Sequence, residues 1–263
     1  MKYIKFFILF GLLASFSANA LLEVNIIKSK EDSFPIVIAP FEMIGNFKED
    51  SDIAKIIRKN LNMSGQFDAK STNQLTTGPI DFDFYLKHKK DAIVLGKIRQ
   101  ISSNVNHAEI YIYDVLTQKP LYRNKIAFTN GALRKTAHAL SDVIYYALLG
   151  QKGSFNTKLS FVTVNEEKNG KRKYRLVISD WDGKNQQVII GSDDPILSPA
   201  WSADQRKIAY VSFKNNRSDV FVKYVFQNTN PIKLPKFDGI ASSPTWHPDG
   251  KSLALTLSKD GNK

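Results

Sequence analysis

Between Leu21 and Gly150 the apolar positions keep two alternating rhythms. Phe34-Pro35-Ile36-Val37-Ile38-Ala39-Pro40-Phe41 is a compact apolar run bounded by prolines, which predicts a buried strand. Asp50-Ser51-Asp52 then offers capping side chains ahead of Ile53, Ile56, Ile57 and Leu61, the spacing of one helix face, and Gly65 ends that helix. Phe82 to Lys90 predicts a short helix and Ala92-Ile93-Val94-Leu95-Gly96 a second buried strand. The alternation from Ile110 to Val115, the turn Thr117-Gln118-Lys119-Pro120 and the return run Leu121 to Phe128 predict a hairpin. A last helix, Ala132 to Leu149, lines up Leu133, Ala137, Leu140, Val143, Ile144 and Ala147 on one face. Helices interleaved with strands make residues 21–150 an α/β domain long enough to bury its own core.

After Gly150-Gln151-Lys152-Gly153-Ser154 the helical period vanishes, and short β-rich runs separated by turn residues continue to the end. Ser198-Pro199-Ala200-Trp201-Ser202-Ala203-Asp204 returns 45 positions later as Ser243-Pro244-Thr245-Trp246-His247-Pro248-Asp249. Each copy is followed by an apolar strand, Lys207 to Val211 and Ser252 to Thr256, and Lys158 to Thr163 is a third version of that strand. Tyr174–Ile178 recurs as Asp219–Lys223, and Val188–Ile190 as Ile232–Leu234. A period of about 40–50 residues with up to four strands per unit is the signature of propeller blades. Residues 154–263 hold about two and a half such units, with blades near 155–200, 201–245 and a third beginning at 246–263. Because closed propellers have about four to eight blades, the count predicts a piece of a longer protein. The predicted fold is therefore an α/β N-terminal domain followed by an incomplete all-β propeller.

Composition narrows the compartment and the chemistry. The chain has 263 residues, 43% of them hydrophobic and 24% charged, which excludes a disordered or collagen-like class. It has no cysteine, which removes disulfides, thiolate zinc sites and a cysteine nucleophile together. Residues 1–20 combine Lys2 and Lys5, an uncharged and largely apolar run from Phe6 to Phe16, and the small-x-small pattern Ala18-Asn19-Ala20. That layout predicts an export signal cleaved after Ala20, since the apolar run is too short to span a bilayer.

No catalytic constellation emerges. His88, His107, His138 and His247 are scattered, with no second ligand at metal spacing, and no P-loop, G-x-G-x-x-G, G-x-S-x-G or H-E-x-x-H occurs. No cofactor or metal is expected. Asp180-Trp181-Asp182-Gly183 lacks the continuing acidic spacing of a calcium loop and reads as a hairpin turn. Trp201 and Trp246, at a fixed repeat position, read as packing between blades. There are 17 basic against 14 acidic residues over 21–150, and 18 against 11 over 151–263. The dense run Lys168, Lys171, Arg172, Lys173 and Arg175 reads as a solvated hairpin tip, and nucleic acid is not an expected partner of an exported chain.

The ordering of export signal, α/β domain and Ser-Pro-x-Trp-x-x-Asp blades resembles the TolB family, periplasmic components of the Tol-Pal envelope system of Gram-negative bacteria. Leu22-Glu23-Val24-Asn25-Ile26-Ile27 resembles the family's mature N-terminal strand, and Pro35 to Phe41 the start of its first domain. Ser198 to Phe213 resembles its most recognisable blade, with Gln205 standing where the family has the glycine of an Asp-Gly turn. Family members have six blades. The resemblance implies a non-enzymatic periplasmic scaffold for envelope integrity and cell division with two partners. A TolA-like inner-membrane protein would engage Leu22, Glu23, Val24, Asn25, Ile26 and Ile27. A Pal-like lipoprotein would dock on the loops entering each innermost strand, here Asp194, Ile196, Leu197 and Ser198 together with Gly239, Ile240, Ala241 and Ser242. The other classes considered are the propeller half of a secreted hydrolase and a propeller that binds a small molecule or sugar.

Overall fold

The computed structural model describes residues 33–47, 52–72, 78–214, 217–236 and 239–258. The segment Leu22–Ile27 and the export signal lie outside the described residues. The first domain is built from β1 (Phe34–Ile38), β2 (Glu42–Ile44), α1 (Ile53–Met63), β3 (Phe67–Lys70), α2 (Phe82–Lys87), β4 (Ala92–Gln100), β5 (Val105–Asp114), β6 (Pro120–Thr129) and α3 (Leu133–Leu149). Its sheet runs β3-β1-β4-β5-β6, with β2 also paired to β4. β1 lies parallel to β3 and β4, whereas β4-β5-β6 form an antiparallel meander.

The apolar stripes foreseen on α1 and α3 cover one face of this sheet. Ile53, Ile57 and Leu61 from α1 meet Leu133, Ala137, Leu140 and Ile144 from α3 over Ile36, Ile38, Val94, Ile98, Ile110 and Ile112. Asp52 caps α1 by accepting from Lys55 N at 2.9 Å, as its position before the first apolar residue requires. The opposite face is covered at one end by α2, whose Tyr85 packs with Val37, Ile93 and Val115. Gly96 is fixed by a close approach, since a Cβ there would sit 2.2 Å from the Phe41 ring.

Three boundaries differ from the sequence reading. The strand expected over 34–41 stops at Ile38, because Pro40 has no N–H to continue the ladder; Glu42–Ile44 resumes as β2, now beside the second half of β4. That second partner is why β4 runs on to Gln100 rather than ending at Gly96. The helix expected to reach Lys90 ends at Lys87. Lys89 adopts φ +52°, and the N–H groups of Lys89 and Lys90 donate to Leu86 O and Tyr85 O, the pattern of a left-handed helix terminus.

The second half forms three sheets. The first is β7 (Lys158–Glu166), β8 (Arg172–Asp180) and β9 (Gln187–Ser192). The second is β10 (Ile196–Trp201), β11 (Lys207–Ser212), β12 (Asp219–Tyr224) and β13 (Ile232–Lys233). The third is β14 (Ile240–Trp246) with β15 (Leu253–Ser258). The breaks fall near 193–195 and 234–239, not at 200/201 and 245/246 as the repeat marks suggested. The reason is local. Trp201 pairs with Ile208 across a tight turn, so each Ser-Pro-x-Trp copy opens its own sheet instead of closing the one before.

Candidate functional site

The repeat extends into the backbone. Ser198 and Ser243 adopt φ of +50° and +49°, and each lies in a register shift, between Leu197 and Ala200 and between Ser242 and Thr245. Such a bulge re-aims the side chains before it. Ile196 faces Ser212 and Ala241 faces Leu257, the same register in both copies. Both side chains are buried, at 0% and 1% exposure, within neighbouring apolar clusters. Burial therefore removes Ile196 and Ala241 from any contact surface of this folded chain and gives them a packing role. Leu197 at 48% and Ile240 at 55% stand out into solvent. Ser198 and Gly239 are exposed beside them, and Asp194 and Ser242 are half-buried.

The repeated tryptophans pack between sheets, as their fixed spacing predicted. Trp246 Nε1 donates to Ala200 O at 3.1 Å, so the third sheet is stapled to the second. The Lys207 ammonium lies 4.5 Å from the Trp246 ring centroid and donates to Gly250 O at 2.6 Å. Trp201 Nε1 is buried without a partner, and the preceding sheet begins at β7 with no Ser-Pro-x-Trp strand beside it among the described residues. His247 takes the slot of Ser202: each backbone N–H donates to the carbonyl five residues on, at 2.9 Å.

The joint between the two halves is the feature that pattern reading missed. Asp180-Trp181-Asp182-Gly183 is a turn, with Gly183 at φ +78°, but its side chains dock on the first domain. Arg134 on α3 donates from Nε to Asp180 Oδ2 at 3.1 Å and from a terminal nitrogen to Asp182. Lys158 donates to Asp180 Oδ1 at 2.6 Å. Burial alone would raise both carboxyls; Lys158 on Asp180 and Arg134 on Asp182 outweigh it and hold them below the usual range. With His138 these aspartates form a His–Asp–Asp group, but Arg134 and Lys158 already supply the positive charge a cation would bring. The arrangement is an ion-pair lock.

Aromatic packing continues the joint. Phe155 belongs to the first domain's core, with its ring centroid 5.6 Å from Tyr145 and 5.0 Å from Trp181. Asp142 on α3 accepts from the N–H groups of Phe155 and Asn156 at 2.7 and 3.1 Å. A Cβ on Gly153 would lie 2.4 Å from Asp142 Oδ1. The segment between the two halves is thus pinned to α3. The one signal available was the tryptophan itself, an apolar ring in a turn otherwise made of solvent-seeking residues.

Together these features define a class: a two-domain protein in which an α/β module is locked against the first sheet of a β-propeller. The family described as the TolB amino-terminal domain matches residues 22–121, and the one described as the TolB beta propeller domain matches residues 145–263. The chain belongs to the TolB family. It is 52% identical over 246 residues to the Tol-Pal system protein TolB of Ruthia magnifica, and 50% identical over 244 residues to that of Vesicomyosocius okutanii. Those alignments take in 94% and 93% of this chain and 58% of each relative. The crystal structure of TolB from Acinetobacter baumannii superimposes with a TM-score of 0.75 at 32% identity, covering 88% of this chain and 56% of that one. The chain thus spans a little over half the length of these relatives. No helix among the described residues is long and apolar enough to cross a membrane.

Proposed function

We propose that this chain is a periplasmic, non-enzymatic scaffold of the Tol-Pal system. On this reading it binds a Pal-like lipoprotein through the propeller loops and a TolA-like inner-membrane protein through Leu22–Ile27. The observation that carries the reading is a pair of exposed apolar side chains at the start of the first strand of two adjacent sheets, at different repeat positions: Leu197 aligns with Ser242, and Ile240 with Pro195. Leu197 stands beside the left-handed Ser198 and Ile240 three residues before the left-handed Ser243. Rigid strands that present apolar side chains at the same end suit a surface that must shed water at its centre. The names of the relatives, all Tol-Pal system proteins, support membership of that system. Three of the four histidines support a non-catalytic reading: His138 belongs to the joint, His247 to a repeat turn, and His88 Nδ1 is bonded to Phe84 O at 2.8 Å.

The N-terminal half of the proposal rests on alternation. Val24 and Ile26 alternate with Glu23 and Asn25, which suits addition to a partner's sheet edge through main-chain hydrogen bonds. Deleting residues 21–27 is expected to abolish capture of the TolA-like protein in a pull-down while leaving the melting temperature within about 2 °C. A large loss of stability with capture intact would assign these residues to the domain's own sheet.

A further inference from the structure

His138, on α3, is 3% exposed at the centre of the joint. Its Nδ1 lies 2.9 Å from Asn60 Nδ2 on α1 and 3.2 Å from Trp181 Nε1 in the β8–β9 turn. An indole nitrogen can only donate, so Nδ1 accepts and the ring proton resides on Nε2. That Nε2 has no hydrogen-bond partner, and Asp180 Oδ2 stands 3.8 Å away. Asn60 Nδ2 also donates to Ser141 Oγ at 2.8 Å, and the Ser141 hydroxyl donates to Ala137 O at 2.8 Å. The polarity around Nδ1 is therefore set by donors, one of which comes from the other domain.

We propose that His138 is an acid-sensitive latch between the α/β domain and the first propeller sheet. With a neutral ring, Nδ1 holds the Trp181 indole docked. A second proton, placed on Nδ1, points at the indole N–H and breaks that bond, so Trp181 loses its anchor on α3 and the turn is held there by the Asp180 and Asp182 ion pairs alone. This inference rests on the geometry of the joint and not on the proposed partners.

The charged groups around the ring come from every element that meets there. They are Lys59 on α1, Arg134, Lys135 and Asp142 on α3, Lys158 on β7, and Asp180 and Asp182 at the end of β8. Asp204 and Arg206 face it from the β10–β11 turn across a cavity of about 420 Å³. Burial, and then the Arg134 charge, push the ring below its ordinary value, while Asp180 and Asp182 pull the other way without cancelling this. The two aspartates stay ionised through mildly acidic pH, so the Arg134 bridges persist while the ring titrates. Asp142 is raised by burial, and its own protonation works in the same direction, so a His138 variant is needed to separate the two.

The sign follows from linkage. A released ring titrates near about 6.5, and the docked ring titrates lower, so the docked state binds fewer protons. Docking is complete above that value and is lost as pH falls through the docked one. At pH 5.5, one unit below, a single ring shifts the equilibrium by at most about tenfold.

Hydrogen–deuterium exchange on the full chain at pH 7.5 and 5.5, corrected for intrinsic exchange, reads the opening of residues 180–184 and α3. The opening constant is expected to rise about three- to tenfold in the unsubstituted chain. In His138→Asn, whose Oδ1 occupies the place of Nδ1 and does not titrate, the rise is expected to disappear. No rise in the unsubstituted chain, or an equal rise in the variant, overturns the latch. Should the variant fail to dock, ring ¹⁵N NMR of the unsubstituted chain decides. The Nε2–H tautomer with a midpoint below 6.5 supports the latch, and an Nδ1–H tautomer or a higher midpoint overturns it.

Discussion

At the corner between β10 and β11, Gln205 holds φ +56°, and its repeat equivalent, Gly250, holds +68°. Asp204 and Asp249 shape both corners alike, accepting from Arg206 N and Lys251 N. A side chain in the left-handed region costs about 1–2 kcal/mol, and glycine's greater freedom when unfolded returns part of that. Gln205→Gly is therefore expected to stabilise the chain by up to about 1 kcal/mol, read as a higher urea midpoint with an unchanged slope. A lower midpoint would show that the Gln205 side chain makes a contact worth more than the strain. At this scale the sequence was highly legible: the missing glycine, the His247 slot and the role of Trp246 all follow from residues 45 apart. Ile196 and Ala241 were not legible as buried, because each sits next to another apolar residue, Leu197 and Ile240, and the sequence does not say which of the two faces inward.

Elements of the second half are coupled in pairs, and the coupling is unequal. Trp246 reaches back to Ala200 O and carries Lys207 on its face, whereas the Trp201 N–H has no such acceptor. Substituting Phe for either trims ring area by the same amount. Only Trp246→Phe also removes a hydrogen bond and weakens a cation–π contact, so it is expected to cost about 1–2 kcal/mol more than Trp201→Phe. Chemical unfolding followed by far-ultraviolet circular dichroism measures the difference, and equal costs would deny the staple. Element types were readable from periodicity, since α1, α3 and the β5–β6 hairpin each bury one regular stripe. Their grouping into sheets was not. A repeat fixes spacing but not phase, and only the pairing of Trp201 with Ile208 shows that the motif opens a blade.

Across the whole molecule, the joint between the domains and the exposed end of the propeller sheets organise the chain. Arg134, His138 and Phe155 join the domains by charge, hydrogen bonding and aromatic packing, so the propeller sheets are presented from a fixed base. Apart from the tryptophan in the turn, none of this was visible in the sequence, because the partners lie 26 to 48 positions apart with no repeat to flag them. At the propeller end, Leu197 and Ile240 are left exposed by the same strands that bury Ile196 and Ala241. The scaffold reading turns on those two side chains. The most direct test is a calorimetric titration of the soluble domain of the Pal-like lipoprotein into the chain and into a Leu197→Asp, Ile240→Asp double variant. The account predicts binding that weakens by more than about tenfold, or about 1.4 kcal/mol, in a variant whose melting temperature is preserved. Unchanged affinity in the folded double variant would contradict it.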